Sequence, residues 1–110
     1  MKKLLLISVM FFSMNTFADV YCGGKVLGVY VSATSDVIIK GDWRNDWTRI
    51  CNLKSDPTVD VVTCSLWASY AASALQNNIS VLLLYPSVSQ CTLIPTYNAA
   101  PTPYYFMLTK

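Results

Sequence analysis

The sequence predicts a small, mainly β domain with one helix, and three observations lead to that prediction. Short apolar runs of strand length recur between turn-forming residues. Only one segment, between the third and fourth of these runs, has apolar residues at helical spacing. Four cysteines in a short chain with an export-type N-terminus predict two disulfides. The order β-β-β-α-β-β is typical of the OB-fold, a five-stranded Greek-key barrel; its main rival is a sheet covered by one helix in another α+β topology.

The first predicted strand shows the clearest alternation. Leu27, Val29 and Val31 fall on one face of a period-2 pattern, and Gly28 interrupts it as a bulge or bend does. The fourth predicted strand is apolar apart from Ser80, which indicates a central strand buried on both faces. A loop at 41–46 separates the second strand from the third. The five predicted strands are Lys25–Ala33, Val37–Lys40, Trp47–Leu53, Ile79–Tyr85 and Tyr104–Thr109.

The helix is predicted directly after the loop that follows the third strand. Thr63 or Ser65 is expected to cap its start, and the asparagines at 77–78 tolerate the left-handed conformation that ends a helix. Trp67 and Tyr70 are interpreted as core residues. The apolar stripe expected to face the sheet consists of Leu66, Trp67, Tyr70, Ala71, Ala74 and Leu75.

The N-terminus indicates export. Two lysines precede the apolar run Leu4–Phe12, and Thr16 and Ala18 place small residues at the two positions that a signal peptidase inspects. The run is short for a bilayer span, which disfavours a retained anchor. We therefore predict a cleaved signal peptide at 1–18, a single OB-like domain at 19–110, and a secreted or periplasmic protein with no membrane span after cleavage.

Charge and composition exclude several classes of function. The formal net charge of +2 comes from Lys2 and Lys3, so the predicted mature chain is balanced and lacks the basic footprint of a nucleic-acid binder. The sequence contains no histidine and no glutamate, which excludes Ser–His–Asp and Cys–His catalysis and histidine-containing zinc sites. We predict no catalytic residue, no metal and no cofactor, and a protein that is not an enzyme.

The cysteines are interpreted as structural. No CxxC spacing supports redox chemistry, and a tetrathiolate zinc site needs closely paired cysteines. Four cysteines allow three pairings, among which sequence alone cannot choose. The proposed barrel does choose, because its first and fourth strands pair antiparallel. The predicted disulfides are Cys51–Cys64, which closes the loop between the third strand and the helix, and Cys22–Cys91.

A family resemblance rests on the middle of the chain. Cys51 lies in a hydrophobic strand, a polar loop leads to Cys64, Trp67 follows near the start of a helix, and the apolar strand ISVLLLY comes next. This arrangement resembles the B subunits of five-subunit-ring bacterial toxins of the subtilase cytotoxin and typhoid toxin type, and related small secreted OB-fold proteins of Gram-negative bacteria. The resemblance implies an OB-fold, homopentamer assembly and a glycan-binding face. The sugar contacts of those toxins have no residue-by-residue match here.

The stretch GDWRNDW is the first candidate binding site. Sugar recognition uses an aromatic ring against the apolar side of a pyranose, beside planar donors and acceptors for its hydroxyl groups. Alternatively, the two tryptophans cap the core or pair across strands. The predicted ligand-binding residues in this stretch are Trp43, Arg44, Asn45, Asp46 and Trp47.

The second candidate is the proline-rich stretch PTYNAAPTPYY between the last two predicted strands. Many OB-folds bind ligands with this loop, and Tyr97 and Asn98 are its candidate contacts; the alternative is a stiff connection. We predict a secreted, non-enzymatic binding module that recognises a glycan, assembled as a homo-oligomer like the toxin B subunits. The alternative is a periplasmic OB-type domain that binds a protein or peptide partner.

Overall fold

The structure is a computed structural model that describes residues 19–110. The predicted signal peptide, 1–18, lies outside the described residues. Within 19–110 the chain forms a mainly β fold with one α-helix, in the predicted order, and adds a single 3-10 turn at Cys91–Leu93. The strands are β1 (Val20–Val31), β2 (Asp36–Gly41), β3 (Arg44–Asn52), β4 (Ser80–Tyr85) and β5 (Phe106–Thr109), and helix α1 is Val61–Asn77.

The five strands form one antiparallel sheet in the spatial order β3-β2-β1-β4-β5. Strand β1 is long enough to pair with two different strands. Its first half pairs with β4 from Val20 to Lys25, and its second half pairs with β2 from Val26 to Val31. Closure of the predicted barrel is not seen. Strands β3 and β5 are the two edges of the sheet and do not pair with each other, so the spatial order is that of an open sheet.

The bulge predicted in β1 is confirmed, but the predicted apolar face is wrong. The register with β2 shifts between Val26 and Gly28. Val29 packs against the core, whereas Leu27 and Val31 are exposed. Leu27 lies within the bulge and Val31 at the end of the strand, and neither position follows the simple alternation that the sequence suggested.

Helix α1 starts earlier than predicted. Asp60, rather than Thr63 or Ser65, is the N-cap, and its carboxylate accepts a hydrogen bond from the Thr63 N–H at 2.8 Å. The end of the helix is as predicted, because Asn78 adopts the left-handed conformation with φ 54°. The predicted strand Ile79–Tyr85 follows as β4, which lies between β1 and β5.

The buried side of α1 is narrower than the predicted stripe. Trp67, Ala71 and Ala74 are buried together with Cys64. Leu66, Tyr70 and Leu75 are exposed, so the interpretation of Tyr70 as a core residue is wrong. The helix lies against the sheet through one row of residues, and positions beside that row face solvent.

Both predicted disulfides are present. Cys51–Cys64 joins β3 to α1 across 13 positions, and Cys22–Cys91 joins β1 to the 3-10 turn across 69 positions. Disulfides of this kind are compatible with an oxidising compartment. Among residues 19–110, the structure contains no helix with the length and apolar character needed to cross a membrane.

The loop between β3 and α1 is organised by Asp56. Its carboxylate accepts hydrogen bonds from the backbone N–H groups of Asn52, Thr58 and Val59, and the Arg49 guanidinium lies 4.0 Å away. Burial by itself raises the pKa of Asp56, but these three N–H donors and the arginine outweigh it. The pKa of this carboxyl is therefore held below its ordinary value.

Candidate functional site

The hairpin between β2 and β3 is tighter than predicted. Its turn consists of Asp42 and Trp43, and β3 already begins at Arg44, so Gly41 and Arg44 are register partners. The Trp43 ring lies directly against Gly41, where a side chain would collide with it, and packs on the hydrophobic core. Trp43 therefore packs on the core, which was the alternative to a role in ligand binding.

The next three predicted residues differ in their surroundings. The Arg44 side chain is 11% exposed and donates to the Thr48 hydroxyl at 3.1 Å. Burial raises the pKa of Tyr85, and the positive charge of Arg44 opposes that shift. Asp46 accepts a hydrogen bond from the Trp47 N–H at 2.8 Å, and Asn45 is exposed. The charged side chains of Arg44 and Asp46 thus both make contacts within the chain.

Trp47, by contrast, contributes to a surface that we call the aromatic patch, formed by Tyr30, Lys40 and Trp47 on the face of the sheet. The Trp47 and Tyr30 rings meet edge to face with centroids 5.1 Å apart. The Lys40 ammonium lies 5.9 Å from the Trp47 ring centroid, within the range of a cation–π contact. Tyr30 is 40% exposed and Trp47 is half-buried, so the patch faces solvent.

Strand register explains why the patch forms. Lys40 is the register partner of Trp47 on one side and of Gly28 on the other, and paired residues lie on the same face of a sheet. Gly28 leaves room for the indole: a Cβ there would lie 2.7 Å from the Trp47 ring. The absence of a side chain at Gly28 therefore lets the Trp47 ring lie across β1 and reach Tyr30.

The second predicted stretch is brought to the same strand. The Tyr97 N–H donates to the Trp47 carbonyl oxygen at 3.0 Å, and the Tyr97 carbonyl oxygen accepts from the Arg49 N–H at 3.2 Å. Tyr97 holds a left-handed backbone with φ 50°, which is uncommon for a residue of this size. Tyr97 and Asn98 are both exposed. The two stretches that the sequence analysis selected are thus neighbours through the backbone.

Tyr30 and Lys40 were not among the predicted site residues. Both lie in predicted strands, and only their cross-strand partners show that they share a face with Trp47. The two residues could have been identified by aligning the predicted strands in register, with β1 paired to β2 and β2 paired to β3.

Two concave surfaces lie elsewhere in the described part of the chain. One, of about 340 Å³, is formed by the loop between β4 and β5 and is lined by prolines, Val88 and Leu93. The other is a groove of about 450 Å³ between α1 and β5. Neither contains a residue of the aromatic patch.

Comparisons with known proteins give no match for this chain. No protein-family model matches it, and neither a curated protein nor a solved structure does. The function is therefore inferred from the geometry of the chain itself.

Proposed function

We propose that this protein is a secreted, non-enzymatic binding module that recognises carbohydrate through the aromatic patch and the adjoining Tyr97–Asn98 segment. One observation carries the proposal. The Trp47 ring is held on an open face of the sheet by Gly28 and Tyr30, with a cation beside it, rather than being buried in the core.

The chemistry of the patch suits a sugar. An indole face packs against the apolar C–H side of a pyranose, and an edge-to-face tyrosine fixes the orientation of that indole. The Lys40 ammonium, the Tyr30 hydroxyl and the Asn98 amide supply donors and acceptors for sugar hydroxyl groups at the rim. Ligand contacts of this mixed kind require no catalytic group.

The topology supports the same proposal. We propose that the fold is an OB-like sheet that stays open; a β1 shared between two halves and a helix between β3 and β4 support this proposal. OB-folds bind oligosaccharides and oligonucleotides on the face of their second and third strands and with the loop between strands four and five. Lys40 and Trp47 lie on the corresponding strands, and Tyr97 and Asn98 lie in the corresponding loop.

The test is glycan binding by the purified protein, first on a glycan array and then by titration of the best glycan. Trp47→Ala should weaken binding at least tenfold, because the loss of a buried aromatic contact costs more than about 1.4 kcal/mol. The matched control is Tyr104→Ala, an exposed aromatic residue that precedes β5 and lies outside the patch. The control should bind like the wild type.

Gly28→Ala provides a second variant that leaves every aromatic ring in place. The added methyl group collides with the Trp47 ring, so binding should fall while circular dichroism remains native. A wild-type protein that binds no glycan, or a folded Trp47→Ala variant that binds as tightly as the wild type, would contradict the proposal.

A further inference from the structure

Strand β5 offers an open edge. It pairs with β4 along one side, and among residues 19–110 no strand pairs with its other side. Exposed edges are normally blocked by charged residues, prolines or bulges, because their free N–H and C=O groups can pair with another chain. The segment Phe106–Thr109 has none of these features, and Met107 is 42% exposed.

An apolar surface continues from that edge onto the helix. Tyr70, Phe106, Met107 and Leu108 line the groove between α1 and β5. Tyr70 lies on the same helical row as Leu66 and Val62, each one turn apart, and the three are 36%, 49% and 66% exposed. Helix α1 contains no charged residue along its length. We call the three helix residues Val62, Leu66 and Tyr70 the apolar row.

The opposite edge of the sheet is closed. On β3, the Trp47 N–H donates to the Asp46 carboxylate, while Tyr97 occupies the Trp47 carbonyl and the Arg49 N–H. These are the backbone groups that would otherwise face a new strand. A head-to-tail assembly, in which β5 of one copy pairs with β3 of the next, therefore has no free partner in the middle of β3.

We propose that the occupant of the β5 edge is a second copy of this chain, bound about a twofold axis that passes near Met107 and Leu108. The two β5 strands pair antiparallel and the two sheets become one. A twofold axis brings each residue close to its own equivalent, so a charged surface repels itself there. The uncharged helix and the uncharged strand remove that repulsion.

Size and closure favour the same arrangement. Stable interfaces bury about 800 Å² on each partner, and a four-residue strand is too small to supply that area alone. The apolar row on the helix adds exposed apolar surface next to the groove that β5 lines. In an isologous contact the β5 edges of the two copies pair with each other, so no β5 edge remains free and the assembly stops at two copies. The aromatic patches lie on the other half of each sheet, so a dimer carries two of them, and binding to a multivalent ligand gains from both.

The experiment measures mass by sedimentation velocity on the purified protein expressed from the full 110-residue sequence. The wild type should sediment as a dimer in a concentration-dependent equilibrium. Met107→Lys, a substitution that natural edges use for protection, should raise the dissociation constant at least tenfold. Leu66→Lys on the helix should do the same without altering the strand. Leu93→Lys is the matched control, an exposed leucine away from the edge, and should remain dimeric.

Amide hydrogen exchange then locates the contact. The amides of Phe106–Thr109 that do not face β4 should be protected in the wild type and exchange at least tenfold faster in Met107→Lys. A monomeric wild type that binds an extended peptide at this edge, a mass of five protomers, or a dimer that is unchanged by both lysine variants would each overturn the proposal.

Discussion

The two edges of the sheet differ in how their backbone groups are used. On β3, the Trp47 N–H donates to the Asp46 carboxylate. The Trp47 carbonyl oxygen accepts from the Tyr97 N–H, and the Arg49 N–H donates to the Tyr97 carbonyl oxygen. On β5, no described segment covers the equivalent groups. The same chain therefore protects one edge with its own loop and leaves the other open. In the proposed dimer, association therefore uses the β5 side of the sheet and leaves the aromatic patch free on the other side.

The local sequences of the edges account for this difference. Strand β3 contains polar residues, and the Asp46 carboxylate accepts a hydrogen bond from the N–H of the next residue, Trp47. Strand β5 has one polar side chain, that of Thr109, and among the described strands it pairs with β4 alone. The cover on β3 also depends on a loop that the Cys22–Cys91 disulfide attaches to β1. Removing that attachment or the Tyr97 contact should therefore make the two edges more alike, whereas a change at Asp56 should leave this difference in place.

The largest effect is expected from the double variant Cys22→Ala, Cys91→Ala. The bond spans 69 positions, and its loss should lower the free energy of unfolding by about 4 kcal/mol in the chain-entropy model. Denaturant titration measures this value. Amide exchange at Arg49 should also accelerate, because the loop that carries Tyr97 is released.

The matched control is the double variant Cys51→Ala, Cys64→Ala. That bond spans 13 positions, so the expected loss is about 3 kcal/mol, and the amide of Arg49 should remain protected by Tyr97. A larger loss from this pair than from Cys22 and Cys91, or equal exchange at Arg49 in both variants, would show that the long disulfide does not maintain the cover on β3.

The next effect is expected from Tyr97→Pro. Proline lacks the N–H that donates to the Trp47 carbonyl, and its ring cannot adopt the φ of 50° found here. The free energy of unfolding should fall by about 3 kcal/mol, because the Trp47 carbonyl loses its partner and the backbone at position 97 has to move. With the β3 edge open as well, light scattering should detect species larger than a dimer, since the β3 strands of different dimers can then pair.

Tyr97→Gly separates the backbone effect from the loss of the aromatic ring. Glycine keeps the N–H and favours a positive φ, so this variant should keep the size distribution of the wild type. If Tyr97→Pro remained the same size as Tyr97→Gly, the contact at Tyr97 would not be what prevents assembly through β3.

The smallest effect concerns Asp56 and pH. Its folded pKa is lower than the ordinary value of about 3.9, so the carboxylate stabilises the fold above that pH. This contribution is lost as the pH falls from about 4 through the lower folded pKa. Asp56→Asn should therefore reduce the free energy of unfolding by about 2 kcal/mol at pH 7 and by much less at pH 2.

Asp60→Asn is the comparison for that pH series. The Thr63 N–H and hydroxyl lower the pKa of Asp60 as well, but asparagine is an equally good N-cap, so this variant should change stability less at pH 7. Equal losses for Asp56→Asn at pH 7 and pH 2 would contradict the assigned role of the Asp56 charge.

Much of the fold could be predicted where the signal is local. Asn78 ends the helix because asparagine tolerates a positive φ, and Gly28 marks the bulge in β1. Other boundaries could not be predicted. Strand β1 extends back to Val20, although Gly23 and Gly24 weaken any strand pattern there, because pairing with β4 supplies the stabilisation.

The candidate site was predicted in part. Trp47, Tyr97 and Asn98 lie where the two stretches meet, whereas Trp43 packs on the core and Arg44 is held by Thr48. Sequence spacing placed all of them in turn-like or strand-like segments but could not assign each to a face. That assignment depends on a two-residue turn and on the register that follows from it.

The sequence by itself determined the mainly β class, the single helix between the third and fourth strands and, through the proposed strand order, both disulfides. These features depend on residue type and short-range periodicity. Only the tertiary structure decided that Tyr30, Lys40 and Trp47 share one face, that Tyr97 covers β3 and that β5 stays open. Each of these depends on pairing between distant segments, and a one-residue change in register reverses which side chains meet.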